Sequence, residues 1–576
     1  MVLWYYITMS TITRRIIKGR IYYYAVKSGR INGKPRLVWQ KYLGTADDII
    51  RCCKEDRQPL KPETVKLFRF GAESAQLHIA QRLGIVNIID GFVPKRDQGL
   101  TVGEYLLIAA INRGCHPKSK HSISDWFFKS MLTHHFPNVK APDLTSQRFW
   151  DHMDMVKVDV IPKIEGEITR RVIELYDIDL RTLIYDTTNF FTFIDTFNRR
   201  CKIALRGKNK QKRFDLRQVN LALLVTRDYH IPLFHQCYEG NTVDSKSFQS
   251  IVDDLVQRLK MVSKGCQEVT VIFDKGNNSE VAIGKLDASE YHFVGSPVPS
   301  HFTDLLEVSD DKYSDLKDER FEGMRAYREQ REIFEVKHTV VVVFSPDFFT
   351  KQLKTVLLVV DKAQGKLKVL EECLRRWQEG IYRRGRVPTV KSVKKQVDEI
   401  LRGQYLKNLI KVTVKSKGTL PIISFNLDIE YLDKLRKAVF GKTILFTDNH
   451  NWSTEEIIRT FWDKGEVEEA FRRMKDRDYS SWFPMFHWTD QKIKVHAFYC
   501  VLALLFTSLL YREANRSGIN ISQMKLMEKL KEIHQVLHIY PSPGKGRKSP
   551  NPQMTLSERD KTQQKLCEIF QLEKYQ

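Results

Sequence analysis

The chain has no CxxC pair, and of its nine cysteines only Cys52 and Cys53 are close neighbours. That spacing argues against a structural zinc clip and against a disulfide framework. The cysteines read instead as small buried hydrophobes in a reducing compartment. Long hydrophobic runs are missing too. The one candidate, Val495 to Tyr511, includes His496, Thr507 and Ser508 and is shorter than the roughly 20 residues that span a bilayer. A buried core helix is therefore expected, with no membrane partner. The apolar start, Met1 to Ser10, lacks a basic segment ahead of it and does not resemble a signal peptide. There is no internal repeat. A Pro/Gly/Lys-rich break, Pro541 to Pro552, interrupts the tail and is expected to be mobile.

What is present is enough apolar sequence for several folded domains. The 576 residues are 42% hydrophobic and 28% charged, an ordinary globular balance that excludes a disordered chain. Lys and Arg number 94 against 70 Asp and Glu, a net charge of +24. An excess of that size favours a polyanionic partner, of which nucleic acid is the commonest.

Along the chain, Arg20 to Gly44 holds two aromatic, basic runs around Asn32-Gly33, the pattern of a β-hairpin. Its faces suit either DNA or packing on the next domain. From Pro62 to about Val156 the pattern is helical, clearest at Val102–Arg113 and Ser146–Val156. Near Leu180 the period changes. Leu183-Ile184-Tyr185 reads as a strand ending at Asp186, and Val269 to Phe273 as a central strand ending at Asp274. Between them, Val219–Val225 and Ile231–Cys237 read as a hairpin. Residues 301–430 form a different region, with strands at Thr339–Phe344 and Val356–Val360 and basic helices at Leu367–Arg384 and Val390–Arg402. The α/β pattern resumes at Lys442 to Thr447, so the middle region reads as an insertion.

Three carboxylates stand out. In an open α/β sheet the carboxyl ends of adjacent strands gather ligands, so Asp186 and Asp274 share a site if their strands are neighbours. Paired carboxylates repel and need a proton or a metal, and hard divalent cations take oxygen ligands. Either aspartate alone reads equally well as a cap for the turn after it. The third is Glu468, in TFWDKGEVEEAFRRMKD (Thr460 to Asp476). On one continuous helix, Phe461, Lys464, Glu468, Arg472 and Lys475 fall within a stripe of about 80°. Val467, Ala470, Phe471 and Met474 form a separate apolar stripe. A single Glu among cations also reads as a solvated ion-pair face. The densest basic run, Arg206, Lys208, Lys210, Lys212 and Arg213, suits a phosphate clamp or a solvated loop. Trp482, His487 and Trp488 suit base stacking or core packing.

Two aspartates 88 residues apart, followed by a helix with one glutamate among ordered cations, resemble the catalytic core of DDE transposases. The helix is similar to the Tyr–Arg–Glu–Lys signature of one large group of prokaryotic insertion-sequence transposases, here as Phe461, Lys464, Glu468 and Lys475. The stretches YDTTNF at Asp186, Gly240 to Asp244, FDKG at Asp274 and PMFHWTD (Pro484 to Asp490) share the likeness, which covers roughly residues 100 to 515. Gly465 departs from it, where the family has a bulky residue; Gly inside a helix costs about 1 kcal/mol against Ala.

The resemblance implies a ribonuclease-H-like α/β core in two parts, 166–300 and 431–515, split by an insertion domain at 301–430. A β-hairpin region (1–60) and a helical DNA-binding region (61–165) precede it, and a tail (516–576) follows. It implies a cytoplasmic, nucleoid-associated enzyme acting as a homodimer on paired DNA ends. Asp186, Asp274 and Glu468 would hold two Mg²⁺ or Mn²⁺ ions. Lys475, Arg472, Lys464, Phe461 and the basic run would contact double-stranded DNA, both terminal repeats and target. The same residues would also serve a nuclease of this fold that cuts without rejoining, or a catalytically idle descendant that only binds DNA.

Overall fold

The computed structural model describes residues 10–31, 34–55, 61–94, 99–209, 211–242, 252–253, 256–258, 260, 268–274, 280–382, 385–541 and 551–576. Two compact units result, one of Met1–Phe68 with Gln535–Ser557, the other of Arg69–His534 with Glu558–Gln576.

In the first unit, β1 (Ser10–Ile17), β2 (Arg20–Ile31) and β3 (Lys34–Gly44) form an antiparallel sheet in that order. The expected hairpin is β2 and β3; β1 adds an edge through a two-residue turn. Lys18 and Gly19 both take positive φ there, the geometry that matches strand twist in tight hairpins. Residues 62–69 were expected to open the helical region. Instead β4 (Thr64–Arg69) pairs into a second sheet with His534–Ile539 and Gln553–Leu556. Its partner strands lie more than 460 residues away, beyond the reach of any local pattern.

The second unit builds a layer of helices from Gly71, including Val102–Cys115, Ser146–Asp154 and Ile161–Tyr176. Thr101 and Glu104 form a capping box that starts the first of these three. They pack on a 27-residue helix, Asp490–Arg516, which lies against the sheet on another face. By length and composition that helix could cross a membrane, but 94% of its most apolar window is buried inside the protein. It is the core helix expected over Val495–Tyr511, longer at both ends.

The sheet has nine strands. In chain order they are β5 (Thr182–Thr192), β6 (Arg217–Thr226), β7 (Pro232–Glu239), β8 (Thr270–Ile272), β9 (His292–Gly295), β10 (Ser314–Asp315), β11 (Arg325–Ile333), β12 (Val336–Phe344) and, after an excursion, β15 (Lys442–Thr447); β13 (Ile410–Lys417) and β14 (Leu420–Leu427) pair only with each other. The spatial order is β10-β11-β12-β15-β9-β8-β5-β6-β7. Strands β5, β8 and β9 run parallel; the flanking pairs are antiparallel.

The middle region divides differently from the expected 301–430. Strands β11 and β12 belong to the central sheet, because β12 pairs with β15 along Thr339–Phe344. The excursion with its own core runs from Pro346 to Phe440, around Leu367, Val393, Leu409 and Phe440. Val356–Val360, expected as a strand, lies inside a 33-residue helix, Pro346–Gln378. Ser345 caps that helix by accepting from the Phe348 amide, and Pro346 occupies its first turn. Once nucleated over 33 residues, the helix absorbs a β-branched stretch that favours a strand only in isolation. Of the expected helix Leu367–Arg384, the part to Gln378 is the end of this same helix, and residues 383–384 lie outside the described residues; Val390–Ile400 is the second.

Candidate active site

Strand β5 does not end at Asp186. It continues to Thr192 because its antiparallel neighbour β6 stays paired with it, Asp186 lying opposite Leu223. What ends is the other neighbour. β8 pairs with β5 only over three residues, Ile184 opposite Ile272. Two residues further along each chain come Asp186 and Asp274. Asp274 lies just past the end of β8; side chains alternate with a period of two, so this register, carried two residues on, would bring both aspartates to one face. Both are half-buried. Asp186 Oδ1 accepts a hydrogen bond from the Thr187 amide at 2.7 Å. The FDKG loop beyond Asp274, residues 275–279, lies outside the described residues, as do Val243 and Asp244.

The expected single helix over Thr460–Asp476 is two: Thr454–Trp462 and Gly465–Lys475. Around Asp463 and Lys464 the backbone bonds tighten, Lys464 to Phe461 and Val467 to Lys464, the three-residue spacing of a 3₁₀ turn. The break falls beside Gly465, where the sequence is weakest for a helix. Phe461 is thereby buried, and the Lys464 ammonium lies 4.1 Å from its ring centre. The same ammonium reaches Asp274 Oδ1 at 2.9 Å. About three turns along, Lys475 Nζ donates to Thr188 Oγ1 at 2.6 Å, on the strand that carries Asp186.

Glu468 lies between these lysines in sequence, inside the helix that Lys464 precedes, and about 20° around the axis from Lys475. The two lysines themselves reach the end of β8 and the strand β5. Val467, Ala470, Phe471 and Met474 anchor the helix as a buried stripe, as expected. Glu468 itself is exposed. Among the described residues, no three His, Cys, Asp or Glu side chains converge tightly enough to hold a metal ion. The all-oxygen donor set fits a hard divalent cation, and the Lys464 ammonium already puts positive charge on Asp274. Arg472 is turned away: it is largely exposed and pairs with Glu469.

Behind the site lies a buried network that the sequence reading did not single out. Trp482 is fully buried and stacks on Phe190 of β5, centroids 4.4 Å apart and planes 11° from parallel. His496 Nε2 donates to the Trp482 carbonyl at 2.8 Å, and Tyr499 donates to His496 Nδ1. Lys120 Nζ donates to the Tyr499 hydroxyl at 2.8 Å, while Arg113 donates to the Pro484 carbonyl at 2.9 Å. Burial pulls the Lys120, His487 and His496 pKa values well below their ordinary values. Trp482 and His487 are thus core residues, while Trp488 is 45% exposed beneath the Arg200 guanidinium. The sequence held one signal of this network: Arg113 follows the apolar stretch Tyr105 to Ile111.

The basic run is fixed to the sheet by its glycine. A Cβ on Gly207 would lie 2.2 Å from the Gly240 carbonyl, so only glycine allows this approach. Gln218 on β6 donates to both the Lys208 and Gly240 carbonyls. Arg206 bonds Thr196, and Arg213 pairs with Asp215 at 2.8 Å. Lys212 is exposed, and Lys210 lies outside the described residues. Asp490, closing PMFHWTD, accepts from the Lys202 and Ile203 amides just upstream. A cavity of ≈ 360 Å³ at the opposite end of β5 is lined by Thr182, Arg227 and Arg459. Asp463 and Asp318 hold those two arginines, which leaves the cavity polar but charge-balanced, away from the two aspartates.

No protein-family model matches the chain, and no curated protein matches it. Among solved structures it is similar to the piggyBac transposase in a cryo-EM structure of its synaptic complex with hairpin DNA. The identity is 9% and the TM-score 0.31, covering 81% of this chain and 82% of that one. A likeness of that degree shows neither family nor activity.

Proposed function

We propose that this protein is a DNA transposase of the DDE type, acting on double-stranded DNA through Asp186, Asp274 and Glu468. The observation that supports the reading is the parallel register of β5 and β8, with Ile184 opposite Ile272, two residues before Asp186 and Asp274. Lys464 and Lys475 reach the end of β8 and the strand β5. The antiparallel β7-β6-β5 run continued by parallel β8 and β9 supports a ribonuclease-H-like core.

Asp186, Asp274 and Glu468 are the residues that would hold Mg²⁺ or Mn²⁺, which supplies charge neutralisation at the reacting phosphate. The chain's own contribution is positioning. Lys475 presents a cation to the DNA backbone next to Asp186, and the Trp482–Phe190 stack keeps the strand beneath it rigid. Lys464 holds the Asp274 carboxylate in place before DNA arrives. A water oxygen attacks phosphorus in line with the departing 3′-oxygen, which leaves as a free hydroxyl. That hydroxyl then attacks a target phosphodiester in line with the target strand's own 3′-oxygen, which is displaced and leaves as a hydroxyl, so one P–O bond forms as one breaks and the strands are joined.

The test is incubation of the full chain with DNA from the flanks of its own gene plus Mg²⁺ or Mn²⁺, mapping cuts and joints. Asp186→Asn, Asp274→Asn and Glu468→Gln should each remove cleavage while end binding persists. Ca²⁺, less exacting in geometry, should support binding better than cutting. Near-normal cleavage by any one variant removes that residue from the site, and cuts without joints make the enzyme a nuclease.

A further inference from the structure

The first unit carries a dense positive charge. Residues 10–44 contain nine Lys and Arg and no Asp or Glu. Among the described residues, no cation of β1, β2 or β3 makes an ion pair, whereas surface arginines elsewhere do, as Arg170 does with Glu167 and Glu174. Strand register sorts the side chains into two faces. On one, Tyr22, Tyr24 and Tyr42 pack together with centroids 5.2–5.9 Å apart. Arg15 is spent on that face, over the Tyr24 ring and bonded to Gln40. The other face carries Ile12, Arg14 and Ile16 from β1, Lys27 from β2, and Trp39 and Lys41 from β3. Ile12 and Ile16 are 63% and 69% exposed, Trp39 49%, and all eight residues of β1 are exposed.

We infer that this second face binds duplex DNA, with the β1–β2 ribbon entering the major groove. The choice of DNA rests on the transposase reading; the charge and exposure do not. Strands about 4.8 Å apart make a two-stranded ribbon that a major groove about 12 Å wide admits. Arg14, Lys27 and Lys41 supply phosphate contacts, and Ile12 and Ile16 suit thymine methyl groups. An anionic membrane is a poorer occupant: Arg14 lies between Ile12 and Ile16 in the middle of the apolar surface, where hydrocarbon would strip its hydration. Duplex RNA is poorer still, its major groove being too deep and narrow for side chains to read.

The experiment measures anisotropy of a labelled random-sequence DNA duplex with the full chain, in metal-free buffer over a range of salt. Each phosphate contact contributes about 0.9 to the slope of log affinity against log salt. The triple variant R14Q/K27Q/K41Q should therefore lower the slope by about 2.7, while the charge-conserving R14K/K27R/K41R keeps it. If the neutral triple fails to fold, R14Q and K41Q alone should each lower it by about 0.9. An unchanged slope overturns the proposal. So does wild-type binding to duplex RNA or to phosphatidylserine vesicles as tight as to DNA. Because no metal is present, this readout is independent of Asp186. A failure of the catalytic reading leaves the slope intact, and a failure of this one leaves metal-dependent cutting intact.

Discussion

Replacing Lys464 with Gln tests whether the Asp186–Asp274 edge is a cation site, and it does so without DNA. The Lys464 ammonium sits 2.9 Å from Asp274 Oδ1, with the two side chains 28% and 46% exposed. An ion pair that open to solvent is worth up to about 1 kcal/mol, well short of its value in a dry interior. A divalent cation arriving at Asp274 must displace that ammonium or bind beside it. Removing it therefore returns about 1 kcal/mol to metal binding, roughly fivefold in a dissociation constant. Two further effects act in the same direction. The ammonium no longer repels the incoming ion, and the two aspartates, stripped of their neutralising charge, gain more from a shared cation. Calorimetric titration with Mn²⁺ should show Lys464→Gln binding about fivefold tighter than the wild type, with Lys464→Arg close to the wild type. DNA cleavage by the Gln variant should fall, since a phosphate contact is lost. Mn²⁺ binding unchanged or weakened in the Gln variant would refute the idea that Asp274 is a metal ligand held by a placeholder lysine.

Three other outcomes follow from the site and its support. Lys475→Ala should reduce the salt slope of DNA affinity by about 0.9, and an unchanged slope would make Lys475 a partner of Thr188 alone. Trp482→Ala empties a fully buried site against Phe190 and should cost about 3–5 kcal/mol in denaturant unfolding; a loss under about 1 kcal/mol would mean the stack does not anchor β5. His487 and His496 are kept neutral by burial, with pKa values well below the ordinary 6.5. The unfolded chain binds protons there that the folded chain refuses, so stability should fall as pH drops below about 6.5, by up to about 1.4 kcal/mol per pH unit for each histidine. Melting temperatures at pH 7.5 and 5.5 check this, with His487→Gln flattening the dependence and equal values contradicting it.

What the sequence disclosed and what it hid separate along physical lines. The run Val269 to Phe273 was legible as a central strand because a fully apolar, β-branched stretch has few other places to go, and β8 lies where it was expected. Both aspartates were visible for the same reason, each closing such a run. Which strand neighbours which is a different kind of fact. Ile184 opposite Ile272 is a pairing between segments 88 residues apart, and no window of either segment encodes it. The same holds for β4 with its C-terminal partners and for β12 beside β15, each a ladder completed by distant chain. Local signals fail in another way at Val356–Val360, whose composition favours a strand but whose neighbours, a Ser cap, a Pro start and a long helical period, outweigh it. The signature helix combines both lessons. Its weak point at Gly465 was readable; that the chain uses the weak point to swing Lys464 onto Asp274 was not, since only the assembled sheet puts an acceptor there. A spacing between Lys464 and Glu468 measured along one ideal helix therefore misstates what each does. One side chain lies ahead of the helix and holds the carboxylate of Asp274, and the other stays on the helix, exposed.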